Sequence, residues 1–131
     1  MSYDKITIVI NTFNSDDKIH LCLNSIESKT KVIIVENSNN VNFKKDIENN
    51  FQNVKCILTG ENKGYSFANN VGLRLVKTKY ALVLNPDTIL QTNALENFLS
   101  TVSKYKDFSL NGPYSDEKKK TNKTEDLTAV E

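Results

Sequence analysis

The chain has 131 residues, enough for one domain with a real core but not for two. With 38% hydrophobic and 25% charged residues it reads as a soluble globular protein, and a net charge of +1 supplies no electrostatic reason to bind nucleic acid or an anionic membrane. No apolar run approaches the roughly 20 residues of a membrane span, and no signal peptide precedes the first strand pattern, so a cytoplasmic protein is expected.

The first apolar, β-rich run is Ile6 to Ile10, which leads into Asn11-Thr12-Phe13-Asn14. A helix is expected from about Asp16 to Ser28, because Ile19, Cys22, Leu23 and Ile26 fall at i, i+3, i+4 and i+7. Ser15 or Asn14 is its expected cap, and Asp16 and Asp17 suit its positive end. The second run, Val32 to Val35, leads into Glu36-Asn37-Ser38-Asn39. A second helix, about Val41 to Phe51, carries Phe43, Ile47 and Phe51 on one face. The third run, Val54 to Leu58, leads into Gly60-Glu61-Asn62-Lys63-Gly64. A third helix follows Gly64, with Ala68, Val71, Gly72 and Leu75 on its inner face. The fourth run, Tyr80 to Leu84, leads into Asn85-Pro86-Asp87. A fourth helix starts near Asn93, with Glu96 placed for a capping box and Leu95, Phe98, Leu99 and Val102 as its stripe. After Tyr105 the pattern fades. Leu110-Asn111-Gly112-Pro113 reads as a turn, and Ser115 to Asp126, with Lys118-Lys119-Lys120, reads as a polar tail.

Strands that alternate with helices through short loops predict parallel βαβ units with right-handed crossovers. In such a sheet all strand carboxyl ends share one edge, and ligands bind in the crevice there. The four polar clusters then form one rim. On it, Asp87 is a natural ligand for a hard cation such as Mg²⁺ or Mn²⁺, against the simpler reading of a Pro-Asp turn. Glu36 can accept a hydrogen bond from a nucleobase or ribose, against the reading of a solvated loop acid. The loop from Gly60 to Gly64 can turn backbone N–H groups and Lys63 towards phosphate, but it is neither a P-loop nor a dinucleotide fingerprint. That argues against ATPases and ordinary NAD enzymes. His20 reads as a surface residue, and no Ser or Cys stands in an activating context for a triad. Cys22 and Cys56 show no metal spacing and read as buried free thiols.

Taken together and in order, these clusters resemble the N-terminal half of family 2 glycosyltransferases, which have the GT-A fold. Ile6 to Asn14 looks like the family's opening strand and its Thr-aromatic-Asn loop. Val35-Glu36-Asn37-Ser38 looks like its Val-Asp-Asn-x-Ser segment, with Glu in place of Asp. Asn62-Lys63-Gly64 with Ala68-Asn69-Asn70-Val71-Gly72 looks like its Asn-x-Gly…Ala-x-Asn-x-Gly segment. Leu84-Asn85-Pro86-Asp87 matches the Asn-Pro-Asp form of its Asp-x-Asp motif. The resemblance implies an open parallel α/β sheet of order 3-2-1-4 with helices on both faces. It implies a donor-binding domain over residues 1–113, followed by a polar tail, 114–131, that begins an acceptor half the family carries further on; a truncated or split product is the expectation.

The implied reaction is an inverting transfer from a nucleoside diphosphate sugar, UDP- or dTDP-linked, to a glycan or lipid-linked acceptor hydroxyl, at most peripherally at a membrane. Thr12, Phe13 and Asn14 would border the nucleotide, and Glu36 would hold the base. Lys63, Gly64 and Asn69 would lie near base and phosphates. Asn85 would face the ribose or sugar, and Asp87 would hold Mg²⁺ or Mn²⁺ on the diphosphate. The catalytic base is expected in the acceptor half, and self-association or a partner supplying that half is implied. Two rivals stand beside this: a nucleotide-sugar binding module without turnover, and a receiver-like signalling domain. The second needs paired acids after the first strand and a phospho-accepting Asp after the third, where this chain has Asn11-Thr12 and Thr59-Gly60.

Overall fold

A computed structural model describes residues 3–103 and 127–130. A short 3₁₀ turn, Tyr3–Lys5, precedes β1 (Ile6–Thr12), α1 (Asp16–Asn24), β2 (Lys31–Glu36), α2 (Val41–Asn50) and β3 (Val54–Leu58). Then come α3 (Tyr65–Arg74), β4 (Tyr80–Leu84), α4 (Ala94–Val102) and β5 (Leu127–Val130). The sheet order is β3-β2-β1-β4-β5. The first four strands are mutually parallel, as the alternating pattern predicts, and stand in the order 3-2-1-4 that the family resemblance implies. β5 runs antiparallel to β4 and was not anticipated as a strand, because its four residues lie inside what reads as a polar tail. A single antiparallel edge strand on an otherwise parallel sheet is a common arrangement. The turn expected at Leu110 to Pro113 and the lysine run Lys118 to Lys120 lie outside the described residues.

β1 and β4 are nearly continuous apolar runs because both of their faces are covered. On one face Ile6, Ile8, Ile10, Ile34 and Leu82 meet Ile19, Cys22 and Leu23 of α1, Phe43 and Ile47 of α2, and Leu95, Leu99 and Val102 of α4. On the other face Ile33 and Val35 meet Ala68 of α3. α3 lies close to the sheet because Gly72 has no side chain: a Cβ there would stand 2.5 Å from Val9 Cγ1.

Several local expectations change. α1 stops at Asn24 rather than Ser28, because Ser25 Oγ donates to Cys22 O at 2.6 Å and closes the helix end; Ile26 is still buried beyond it. Ser15 occupies the N-cap position of α1 without a side-chain cap bond. The capping box at α4 does not form. Asn93 is left-handed, with φ 70°, and Glu96 instead accepts a hydrogen bond from the Tyr3 hydroxyl at 3.1 Å. Leu75 is 42% exposed, and Val76 takes its place against the sheet. Asn40 caps α2 through Oδ1, which accepts from Phe43 N at 3.0 Å. Cys22 and Cys56 are buried free thiols, and Cys22 lies beneath the turn after β4.

Candidate functional site

Four parallel strands end on one edge, so their C-terminal loops meet there in the order of the sheet: the 59–64 loop, Glu36 to Ser38, Thr12 to Asn14, and Asn85 to Asp87. The strand order reverses between β1 and β4, the switch point where open α/β sheets bind ligands. A cleft of about 420 Å³ opens there, lined by Asn14, Ser15, Asp17, Lys18 and the Asn85-Pro86-Asp87 turn. Asn14 reaches it with a left-handed backbone, φ 57°. The turn is closed by Thr88 N donating to Asn85 O at 3.1 Å, which leaves Asp87 exposed. The cleft thus joins Asn14, Asn85 and Asp87, and adds a second carboxylate, Asp17, that motif reading had assigned only to the helix end. Its signal was available: Asp17 lies in the first turn of the helix that follows the β1 loop.

Beside this cleft, β1 and β2 are tied at their last residues. Thr12 and Glu36 are register partners, and Thr12 Oγ1 donates to Glu36 Oε1 at 2.5 Å. Ser38 Oγ donates to Glu36 Oε2, also at 2.5 Å. Glu36 is 1% exposed, so its carboxylate is turned into the protein under two hydroxyls and not presented openly on the rim. Each carboxylate oxygen keeps a second acceptor position, so these bonds orient the group without exhausting it.

The 59–64 loop needs its glycines. Gly60 has φ 96°, and Gly64 has φ 93° and ψ 162°, a region that is essentially glycine-only. Neither position is short of space; the requirement is conformational. Gly64 leads directly into α3, whose first N–H groups face the rim as an anion-favouring helix start. The Lys63 ammonium rests 5.0 Å from the Phe67 ring centroid. Asn69 is engaged with Asn11, whose Nδ2 donates to Asn69 Oδ1 at 2.9 Å, and this ties α3 to β1. Phe13 is 49% exposed at the end of β1.

Asn37 is the residue that sequence reasoning undervalued. It is buried at the end of β2 and hydrogen-bonds Thr59, Lys63 and Gly64. Only the fold reveals this, because those partners lie more than 20 positions along the chain. His20, read as a surface residue, is half-exposed and pairs through Nε2 with Asp46 Oδ2 at 3.0 Å, away from the cleft. Among the described residues no group of three or more His, Cys, Asp or Glu side chains could hold a metal by itself.

The family model described as glycosyl transferase family 2 matches residues 7–128. The chain belongs to glycosyl transferase family 2. Solved structures agree on the fold. S. aureus TarS 1-349 superposes with a TM-score of 0.64 at 18% identity, over 77% of this chain and 33% of that one. S. aureus TarS 1-349 in complex with UDP gives 0.64 at 19% identity, over 77% and 32%. A longer S. aureus TarS structure gives 0.63 at 19%, over 76% and 20%. The chain therefore spans about one third of the length of TarS 1-349 and has the open, Rossmann-like GT-A sheet. No curated protein sequence matches the chain. No helix among the described residues is long and apolar enough to cross a membrane.

Proposed function

We propose that this chain is the donor-binding part of an inverting glycosyltransferase that takes a UDP- or dTDP-sugar as donor and a glycan or lipid-linked hydroxyl as acceptor. The observation that carries the reading is the cleft at the β1–β4 switch point, with Asp87 on one wall and the Glu36 and Lys63–Gly64 loops farther along the same rim. The UDP complex of S. aureus TarS, which has the same fold, supports a pyrimidine nucleotide as the ligand class.

In this reading the Ser38 hydroxyl turns aside on binding and uncovers Glu36 Oε2 for the imide N–H of the base, while Thr12 keeps the carboxylate oriented. Phe13 borders the base. Lys63, the Gly64 turn and the α3 start lie towards the phosphates, with Asn69 beside them. Asn14 and Asn85 line the ribose and sugar side. The oxygen donors around the cleft, Asp87 and Asp17 with the two amides, fit a hard cation that draws its other ligands from diphosphate and water. Asp87 and Asp17 would hold Mg²⁺ or Mn²⁺ there, and the cation would supply positive charge to balance that developing on the diphosphate. Residues 1–113, with β5 added to the edge of the same sheet, form the donor-binding part, and the acceptor site and general base lie outside the rim described here.

Calorimetric titration with UDP, dTDP and ADP, each with Mn²⁺ and with chelator, tests the reading. Pyrimidine nucleotides should bind more tightly than ADP, and Mn²⁺ should strengthen binding in the wild type but not in Asp87→Ala. Tighter binding of ADP, or Mn²⁺ enhancement unchanged by Asp87→Ala, overturns it. Nucleotide binding without sugar transfer in a donor-hydrolysis assay selects the binding-module form.

A further inference from the structure

We propose that Asn37 is the positioning residue that latches the Lys63–Gly64 turn to the sheet and so sets the diphosphate end of the donor site; this rests on the donor-site reading above. Asn37 is 3% exposed, and its amide uses both ends on the glycine loop. Its Nδ2 donates to Gly64 O at 2.9 Å. Its Oδ1 accepts from Lys63 N at 3.2 Å and lies 2.9 Å from Thr59 Oγ1, whose one proton is shared with Glu61 O at 2.6 Å. The start of the loop is pinned differently, by backbone bonds: Thr59 N donates to Glu36 O and Gly60 N to Ser38 O, both at 3.0 Å. Past Gly60 the loop leaves the sheet. Among the described hydrogen bonds, the return of Lys63 and Gly64 to the sheet runs through the Asn37 side chain.

The chemistry requires an amide here. Gly64 O needs a donor and Lys63 N–H needs an acceptor, and a carboxylate or an alkyl group cannot serve both. The latch also holds Gly64 in its glycine-only conformation, from which α3 starts. Asn37 sits next to Glu36, so a single dipeptide orients both ends of the ligand: Glu36 at the base and, through the loop, Asn37 at the phosphates. Asn37 touches no ligand in this account. It acts through Lys63, Gly64 and the first N–H groups of α3.

The test pairs amide hydrogen exchange with binding of UDP and of uridine, which lacks the phosphates. In Asn37→Ala the Lys63 amide should lose protection while Val9 and Ile34, in the central strands, keep theirs. UDP affinity should fall about tenfold, as expected for loss of an ordered hydrogen-bonding group, and uridine affinity should hold within about twofold. Asn37→Asp keeps an acceptor for Lys63 N–H and Thr59 but loses the donor to Gly64 O. It also sets a second carboxylate beside Glu36 at the phosphate end, so it should retain Lys63 protection and still lose UDP affinity. Unchanged Lys63 exchange in Asn37→Ala, or equal losses for UDP and uridine, overturns the proposal. Failure of the wild type to bind UDP overturns the donor-site reading instead, and the exchange result still decides whether the latch exists.

Discussion

Thr12 Oγ1 lies 2.5 Å from Glu36 Oε1, a hydroxyl on the last residue of β1 donating to a carboxylate on the last residue of β2, with both side chains 1% exposed. Neighbouring parallel strands therefore end in register on a buried, charged contact at the ligand edge. Thr12→Val preserves the shape and removes the donor. It should lower unfolding free energy by about 1–3 kcal/mol, the range for leaving a buried polar group short of a partner. Urea denaturation measures this, and Thr12→Ser should recover most of the loss. A Thr12→Val protein as stable as wild type would show that the contact contributes nothing.

The outer edge of β3 is closed by an ion pair on α2. Lys44 Nζ lies 2.9 Å from Glu48 Oε2, and the pair straddles Cys56: Glu48 accepts from its N–H at 2.8 Å and Lys44 donates to its carbonyl. The Cys56 N–H, followed by Lys44, holds the Glu48 carboxyl below its ordinary value of 4.5. A lowered folded-state value means that this contribution is fully present above about 4.5 and is lost as pH falls through the lower folded value. Glu48→Gln should flatten the acid limb of a stability–pH profile. Glu48→Ala should also expose a strand edge and promote self-association, readable by sedimentation. Variants whose sedimentation and acid limb both match wild type contradict both expectations.

Gly72 and Val9 set the distance between α3 and the sheet. A Cβ at position 72 would meet Val9 Cγ1 at 2.5 Å and Val35 Cγ2 at 3.2 Å. Gly72→Ala should destabilise by about 1–3 kcal/mol through overpacking, despite the better helix propensity of alanine. Adding Val9→Ala removes the nearer contact, so the double variant should lose less than the sum of the two single losses. Strict additivity in a double-mutant cycle would refute a direct clash.

Burial pushes the Cys22 and Cys56 thiols up to about 12, with the Asp87 carboxylate adding to the effect at Cys22. Raised folded values mean that their contribution is intact below the ordinary 9.0 and fades as pH rises from there towards about 12. Native protein at pH 8 should react with a disulfide reagent only as fast as it unfolds. Cys22→Ala should show a shallower alkaline loss of stability than wild type. Rapid labelling of either thiol in the folded state would refute the buried assignment.

Much of the fold was legible because burial imposes periodicity. Ile19, Cys22, Leu23 and Ile26 declared one helix face, and the nearly continuous apolar runs around Ile8 and Leu82 declared strands. The ends of elements were less legible. Ser25 stopped α1 early by bonding its own helix, and Glu96 left its expected cap for Tyr3, because side-chain hydrogen bonds with several available partners are settled by what folds nearby. β5 was hidden because its four residues are too short to show a period, and only the open edge of β4 gives them a partner.

The residue types on the rim, Asp87, Glu36, Lys63 and the glycines, were determined by sequence alone, as was the alternation that sends the ends of the first four strands to one edge. Tertiary structure decided how they relate. It turned the Glu36 carboxylate inward beneath Thr12 and Ser38, added Asp17 to the Asp87 cleft, and set Asn37 across the gap to Lys63 and Gly64. The physical reason is range. Periodicity is a local consequence of burial, readable within a few turns of chain. A hydrogen bond between residues more than 20 positions apart exists only once the sheet has brought its strand ends side by side.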